Sequence, residues 1–370
     1  MLKPSLQFEN LNGARIKVGV ADSGIDSSHP ALEQCVNKSV SFLDTNILQG
    51  CGTTIPTPTP TDMIGHGTAI AYIIHKKAPA AQIYNIKILD ECLTSSIHKM
   101  IDAIDWAIEQ NLDVINLSLG STQFRYKNEV EAAIHRAHAA NLLIVSACNR
   151  RSRPSLPASL PGVFGVSGGT LRGKYSYYWE EESRKFIARG DHQRVAGAKR
   201  MYYFGFGSSY AAPHITGIVT LIRQFMPGAT YSEVLDCLIS NSLTSNPDNA
   251  EEQQYVPSDS PHNIHEILLK AQRKINSESM STGTDILFDL VKTIVADTLV
   301  LTDEDSQQLC STTLFDPRFN LNRDVAMNIV EALQDKIDLR IDDEDLFLDD
   351  LYSLSSLVAA VKRWQKPSIH

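Results

Sequence analysis

Apolar strands alternate with amphipathic helices along the first 150 residues, and this alternation constrains the fold more than any other feature of the sequence. Four runs are short, largely apolar and rich in β-branched residues, as buried strands are: "RIKVGVA" (15–21), "QIYNIKIL" (82–89), "DVINLSLG" (113–120) and "LLIVSAC" (142–148). Two longer segments, 96–111 and 128–140, have the pattern of amphipathic helices. The alternation predicts an α/β fold, with a parallel sheet and helices on both of its faces.

Polar residues stand at the ends of three of these strands. Asp22 follows the first strand, residues 118–121 lie at the end of the third, and Asn149 follows the fourth. Because ligands of parallel sheets bind at the carboxyl ends of the strands, we expect the functional site at this edge of the sheet.

Three short strings together hold the side chains of a nucleophilic hydrolysis site. Asp22 lies in "VGVADSGIDSSHP", His66 in "DMIGHGTAIA" and Ser209 in "GFGSSYAAPHITG". A serine hydroxyl becomes a good nucleophile when a histidine takes its proton and a buried carboxylate orients that histidine. The oxyanion that forms also needs donors, and we predict the side-chain amide of Asn149 and the backbone N–H of Ser209 for this task.

The order Asp, His, Ser and the strings "DSGID", "HGT", "SLG" and "GSSYAAPH" resemble those of the subtilisin-like serine proteases. The resemblance covers about residues 1–276 and implies a subtilisin-like sheet, a triad of Asp22, His66 and Ser209, and Asn149 in the oxyanion hole. The α/β-hydrolase alternative fails because its chain order is Ser, acid, His and its serine motif is G-x-S-x-G. Here Ala211 stands at the last glycine position of that motif.

The resemblance also implies where a substrate binds. Ser118, Leu119 and Gly120, together with Ala147, would line the substrate backbone and the first specificity pocket. Arg150, in the basic string "NRRSR", has two open interpretations. It belongs either to an exposed loop or to a site that selects an acidic substrate side chain by charge-assisted pairing.

Neither a metal nor another cofactor is expected. The loop "HKKAPAA" is shorter than the calcium-binding loop of secreted subtilisin-like relatives, so we predict no calcium there. No set of cysteines and histidines has the spacing of zinc ligands.

The acidity of the chain lies in its last part. Residues 283–370 hold 17 Asp and Glu but 8 Lys and Arg, a net charge of −9, while the preceding part is balanced. We therefore predict a protease domain over 1–276, a small polar linker over 277–283 and an acidic helical bundle over 284–370. An acidic bundle suits a basic protein partner.

The bundle resembles acyl carrier proteins in its acidic segment before the third helix. Those proteins carry a phosphopantetheine arm on a serine at the start of the second helix, where this chain has Arg323. The module is therefore either a docking domain that cannot be loaded or an unrelated acidic three-helix bundle.

Composition limits the location and the partners. The net charge of −9 argues against a nucleic-acid partner, and no run is apolar enough to span a membrane. The start has no secretory signal pattern and the six cysteines are scattered, so we expect a cytoplasmic protein.

The predicted function is a serine endopeptidase that matures a peptide or protein precursor, for example by leader removal. The alternative is a catalytically silent binding protein of the same fold with an acidic docking domain.

Overall fold

The computed structural model describes residues 6–43, 61–149, 153–245 and 286–310, and all of 312–365 except 315, 317, 318, 320 and 322. Arg150 and the predicted linker 277–283 lie outside the described residues. By its internal contacts the chain divides into two compact units, one of Met1–Asp191 with Val195–Gln254 and one of His192–Arg194 with Tyr255–His370.

Eight strands of the first unit form one sheet. Its strands are β1 (Lys17–Asp22), β2 (Val36–Ser41), β3 (Gln82–Lys87), β4 (Val114–Leu117), β5 (Leu143–Ala147), β6 (Val163–Gly169), β7 (Tyr177–Glu180) and β8 (Lys185–Arg189). Their order in the sheet is β2-β3-β1-β4-β5-β6-β8-β7, and only the β7–β8 pair is antiparallel. Two further strands, β9 (Gln193–Ala196) and β10 (Tyr202–Gly205), form a small separate sheet. The prediction of an α/β fold with a parallel sheet is confirmed, and the sheet is mainly parallel because the edge strand β7 is antiparallel.

Five helices belong to the same part of the chain: α1 (His66–Lys77), α2 (Ile97–Glu109), α3 (Lys127–Ala139), α4 (Ser208–Phe225) and α5 (Tyr231–Ser240). Successive strand residues point to opposite faces of the sheet, so two apolar cores form. Val18 and Val20 pack in one core with buried residues of α1 and α4. Ala21 and Leu117 lie in the other core with residues of α2 and α3. Helices therefore cover both faces, as predicted.

Strand β1 lies where the chain changes direction across the sheet. From β1 the chain continues to β2 and β3 on one side, whereas β4, β5 and β6 follow on the other side. The carboxyl end of β1 is thus flanked by the ends of β3 and β4, and such a switch point opens a crevice for ligands. Asp22 is the last residue of β1.

The part of the second unit described between residues 286 and 365 is mainly helical. It contains α6 (Ile286–Leu299), α7 (Asp303–Gln308), α8 (Arg323–Ile337) and α9 (Leu354–Trp364). Helix α6 packs against α8 and α9, and Val291, Leu333 and Leu357 are fully buried. Thr302 caps α7 by accepting from the Asp305 N–H, and Ser353 caps α9 in the same way through the Ser356 N–H. Within the described residues, the chain has no helix long and apolar enough to cross a bilayer.

Candidate active site

A buried carboxylate meets a histidine at the carboxyl edge of the sheet. Asp22 is 0% exposed, and its Oδ1 lies 2.7 Å from Nδ1 of His66. The same oxygen accepts from the Ser23 N–H at 2.7 Å. The backbone carbonyl of Asp22 accepts from the N–H groups of Ile88 and Leu89, which fixes the end of β1 against the segment after β3. With its proton on Nδ1, the neutral imidazole presents Nε2 as an acceptor.

The glycines around His66 let the strand end and the helix start approach closely. Gly65 has a φ of 94°, a conformation that disfavours residues with a side chain. A Cβ at Gly67 would lie 2.1 Å from the carbonyl oxygen of Gly24, closer than any side chain tolerates. The two glycines thus allow His66 to begin α1 directly beside Asp22.

The imidazole of His66 contacts one tyrosine, which is joined to a second tyrosine. The ring of Tyr210 stands edge-on to that of His66, with 5.2 Å between the ring centroids. Tyr210 and Tyr203 are joined through their hydroxyls at 3.0 Å, and Tyr203 donates to the carbonyl of Gly65 at 3.3 Å. Burial, followed by the neighbouring Tyr210, raises the pKa of Tyr203, so this phenol stays protonated and able to donate.

Ser209 is the second residue of α4 and is half-buried. It directly precedes Tyr210, whose ring contacts His66. The helix begins after Gly207, which has a φ of 114°. The helix start also offers positive dipole potential to a developing oxyanion.

A chain of buried hydrogen bonds ties the start of α4 to β4. The Ser118 hydroxyl donates to the backbone carbonyl of Ser209 at 2.9 Å. The Asn116 amide donates to Ser118 Oγ at 2.8 Å, and the Thr216 hydroxyl donates to Asn116 Oδ1 at 2.7 Å. All three of these side chains are buried. Ser118 was predicted to line the substrate, and in the structure its hydroxyl is used to hold the serine-bearing helix.

Two further segments flank this cluster at the ends of β4 and β5. Ala147 is buried, and the half-buried Asn149 stands two residues after the end of β5. Ser146 donates to the carbonyl of Leu119 at 3.3 Å, which joins the two segments. A Cβ at Gly120 would lie 3.2 Å from Ser155 Oγ, so the glycine gives the Ser155 segment room to pack.

Two other reactive groups nearby are kept neutral by burial. Burial raises the pKa of the Cys148 thiol, so a thiol adjacent to Asn149 stays protonated at neutral pH. Burial, followed by Lys77 and Arg189, lowers the pKa of His214 far below its usual value. His214 is buried within α4, five residues after Ser209, and remains an uncharged core residue.

One acidic residue of the site was missed by the sequence reasoning. Asp62 is 4% exposed and accepts hydrogen bonds from residues on both sides of His66. The only signal in the sequence is an acid four residues before the histidine, which by itself does not distinguish a structural carboxylate from a loop residue.

By its fold the molecule is of the α/β class, with a buried Asp–His pair at the carboxyl edge of its sheet and a serine one residue before the tyrosine that contacts this histidine. The chain belongs to the subtilase family, whose match covers residues 13–260. It is 31% identical over 237 residues to the thermostable alkaline protease of Halalkalibacterium halodurans, covering 60% of each chain. It is 29% identical over 259 residues to subtilisin E of Bacillus subtilis, covering 65% of this chain and 63% of that one. The chain thus spans about three fifths of the length of these relatives.

Solved structures share the fold. Sphericase superposes with a TM-score of 0.52 at 21% identity, over 62% of this chain and 83% of that one. A structure titled as a lanthipeptide protease gives a TM-score of 0.54 at 20% identity, over 65% of this chain and 84% of that one. These likenesses agree with the sheet and helices described above.

Proposed function

We propose that this chain is a serine endopeptidase in which Ser209 attacks a peptide carbonyl. The proposal rests above all on the 2.7 Å contact between Asp22 and His66, buried at the carboxyl edge of a subtilase-family sheet. In this proposal Ser209, the residue before the tyrosine that contacts His66, supplies the nucleophile, and its proton passes to Nε2 of His66. Asp22 keeps the imidazole in the required tautomer and stabilises the imidazolium.

The remaining steps follow from the groups at the ends of β5 and α4. The tetrahedral oxyanion accepts from the side-chain amide of Asn149 and the backbone N–H of Ser209. His66 then returns the proton to the leaving amine, which leaves an acyl-enzyme on Ser209. Water, deprotonated by His66, hydrolyses that ester and releases the acid product.

The substrate we propose is a peptide or protein precursor that loses its leader in the cytoplasm. A structure of the same fold is titled as a lanthipeptide protease, so the fold accommodates an enzyme of that kind. In this proposal the acidic second unit recruits a basic segment of the precursor or of a partner protein, because opposite charges speed encounter.

Covalent labelling tests the nucleophile. A fluorophosphonate probe phosphonylates an activated serine, with loss of fluoride, and does not react with an ordinary serine. We therefore expect the folded protein to be labelled, and mass spectrometry to map the label to Ser209. Ser209→Ala should lose labelling and lower kcat by about 10⁴-fold or more, with thermal unfolding unchanged.

Ser240→Ala, which changes an exposed serine of α5, is the matched control and should label normally. Labelling at a different serine, or peptide cleavage by Ser209→Ala at the normal rate, would refute the assignment. A folded protein that does not label would favour the binding-protein alternative.

A further inference from the structure

Asp62 collects five hydrogen bonds on one buried carboxylate. Its Oδ1 accepts from the Ser23 hydroxyl at 3.0 Å and from the N–H groups of Ile64 and Gly65 at 3.0 and 2.8 Å. Its Oδ2 accepts from the N–H and the hydroxyl of Thr68 at 3.0 and 2.6 Å. A buried charge is tolerated when donors surround it in this way.

The partners of Asp62 lie beside both members of the Asp–His pair. Ser23 follows Asp22 in the chain, while Gly65 and Thr68 flank His66 at the start of α1. The carboxylate therefore joins the end of β1 to the first turn of α1 through hydrogen bonds to both side chains and backbone N–H groups.

Two hydroxyl groups extend this connection. Because the Ser23 hydroxyl donates to Asp62, its oxygen is available to accept the Gly67 N–H, at 3.0 Å. The Thr68 hydroxyl likewise donates to Asp62 and accepts the Asp26 N–H at 2.9 Å. Both hydroxyls can take this orientation only while the group at position 62 accepts on both of its oxygens.

The helix start adds a second reason for a carboxylate. The first N–H groups of a helix have no intrahelical acceptor, and here Asp62 and the Ser23 hydroxyl accept from two of them, those of Thr68 and Gly67. Negative charge at this end is also favoured by the helix dipole. An asparagine at position 62 would place its NH₂ group against N–H or O–H donors. The hydrogen bonds accepted by one of the two carboxylate oxygens would then be lost.

We propose that Asp62 is a positioning residue that holds the Asp22–His66 contact by tying the end of β1 to the first turn of α1. Its effect on hydrolysis rests on the proposed function of Ser209. Asp62 does not touch the substrate in this proposal, so it acts on the rate of the chemical step and leaves substrate binding unchanged.

The substitution Asp62→Asn tests the proposal in the full-length protein. We expect kcat to fall on the order of 10²-fold with KM unchanged, because small displacements of catalytic groups cost about that much. The His66 Nδ1 proton, in a short hydrogen bond to Asp22, should give a far-downfield ¹H NMR signal in the wild type that shifts or disappears in the variant. Asp113→Asn is the matched control: it removes a carboxylate that accepts from the Lys17 N–H at 2.9 Å, at the opposite end of β1. Its kcat and its downfield signal should stay at wild-type values.

Ser23→Ala covers the case in which Asp62→Asn does not fold. It removes one hydrogen bond to Asp62 and leaves the carboxylate in place, and we expect a smaller loss of kcat, about 10-fold, with a shifted Nδ1 proton signal.

A purely structural role would lower the melting temperature while leaving kcat and the Nδ1 signal of the folded protein unchanged, and that result would overturn the proposal. If the wild type does not react with a fluorophosphonate, the endopeptidase proposal fails by itself. The NMR signal then decides on Asp62 alone, its change supporting the positioning role and its persistence overturning it.

Discussion

The contact between Asp22 and His66 depends on where each residue stands in its element. A carboxylate at the last position of a central strand is shielded by the neighbouring strand ends, and Asp22 is fully buried there. His66 is the first residue of α1, and its ring contacts Asp22 at the end of β1. Gly65 and Gly67 supply the backbone geometry that this close approach requires.

Replacing the buried carboxylate with an amide tests this arrangement at the residue scale. Asp22→Asn keeps the volume of the side chain but removes the charge that stabilises the imidazolium and no longer selects the required tautomer. We expect kcat to fall about 10⁴-fold with KM little changed. Steady-state kinetics on a peptide substrate, with thermal unfolding measured in parallel, checks the result. A folded variant that keeps more than a tenth of the wild-type kcat would contradict the role proposed for Asp22.

At the scale of the elements, α4 is fixed to the sheet by the buried chain from Thr216 through Asn116 to Ser118. This series of hydrogen bonds joins the third turn of the helix to the end of β4 and ends on the carbonyl of Ser209. Helix position and nucleophile position are thus set by the same three side chains, which lie away from water.

Thr216→Val removes the hydroxyl that begins this series of hydrogen bonds and keeps the shape of the side chain. Asn116 Oδ1 then loses its donor, and we expect about 1–3 kcal/mol lower stability and a kcat lowered about 10-fold. Thr220→Val is the matched control, since Thr220 is equally buried on the same helix but donates to the Thr216 carbonyl within that helix. Chemical denaturation and kinetics of the two variants give the comparison. Equal losses of kcat in both would show that the link to β4 does not position the serine.

Much of this framework could be predicted from the sequence because it depends on local patterns. The apolar runs predicted β1, β3, β4 and β5 to within three residues at either end, and α2 and α3 to within two. Strand β6, "VFGVSGG", was not predicted because three glycines interrupt its apolar run. Strand β7, "YYWE", is an antiparallel edge strand without a buried apolar pattern.

Side-chain networks could not be predicted in the same way. The strings around Asp22 and His66 were informative because each combines a rare spacing with glycines, whereas Asp62 and Thr216 act through contacts between residues distant in the chain. The short helix α7 was also missed, since one turn and a half of polar residues carries no apolar stripe. The predicted pairing of Asn149 with Ser209 at an oxyanion stays a prediction.

At the scale of the whole molecule, the two ends of the chain differ in net charge. The excess of acidic residues lies entirely in residues 283–370, while the part that contains the sheet is balanced. In the second unit some of this charge is neutralised locally, as where Lys336 pairs with Asp297 and Arg363 with Asp350. Other carboxylates, including Glu331 on α8, are exposed and available to a basic partner.

Reversing one such charge tests whether the acidic unit recruits substrate. We expect Glu331→Lys to lower kcat/KM up to about five-fold for a fluorogenic peptide that carries a basic leader, since exposed ion pairs contribute up to about 1 kcal/mol. The same peptide without its leader should be cleaved at the wild-type rate. The difference should vanish in 1 M salt, where the screening length is about 3 Å. Glu109→Lys reverses an equally exposed helical glutamate in α2 and is the matched control. A loss of the same size in both variants, or a loss that persists in high salt, would mean that overall charge or altered folding, and not a docking surface on α8, determines the rate.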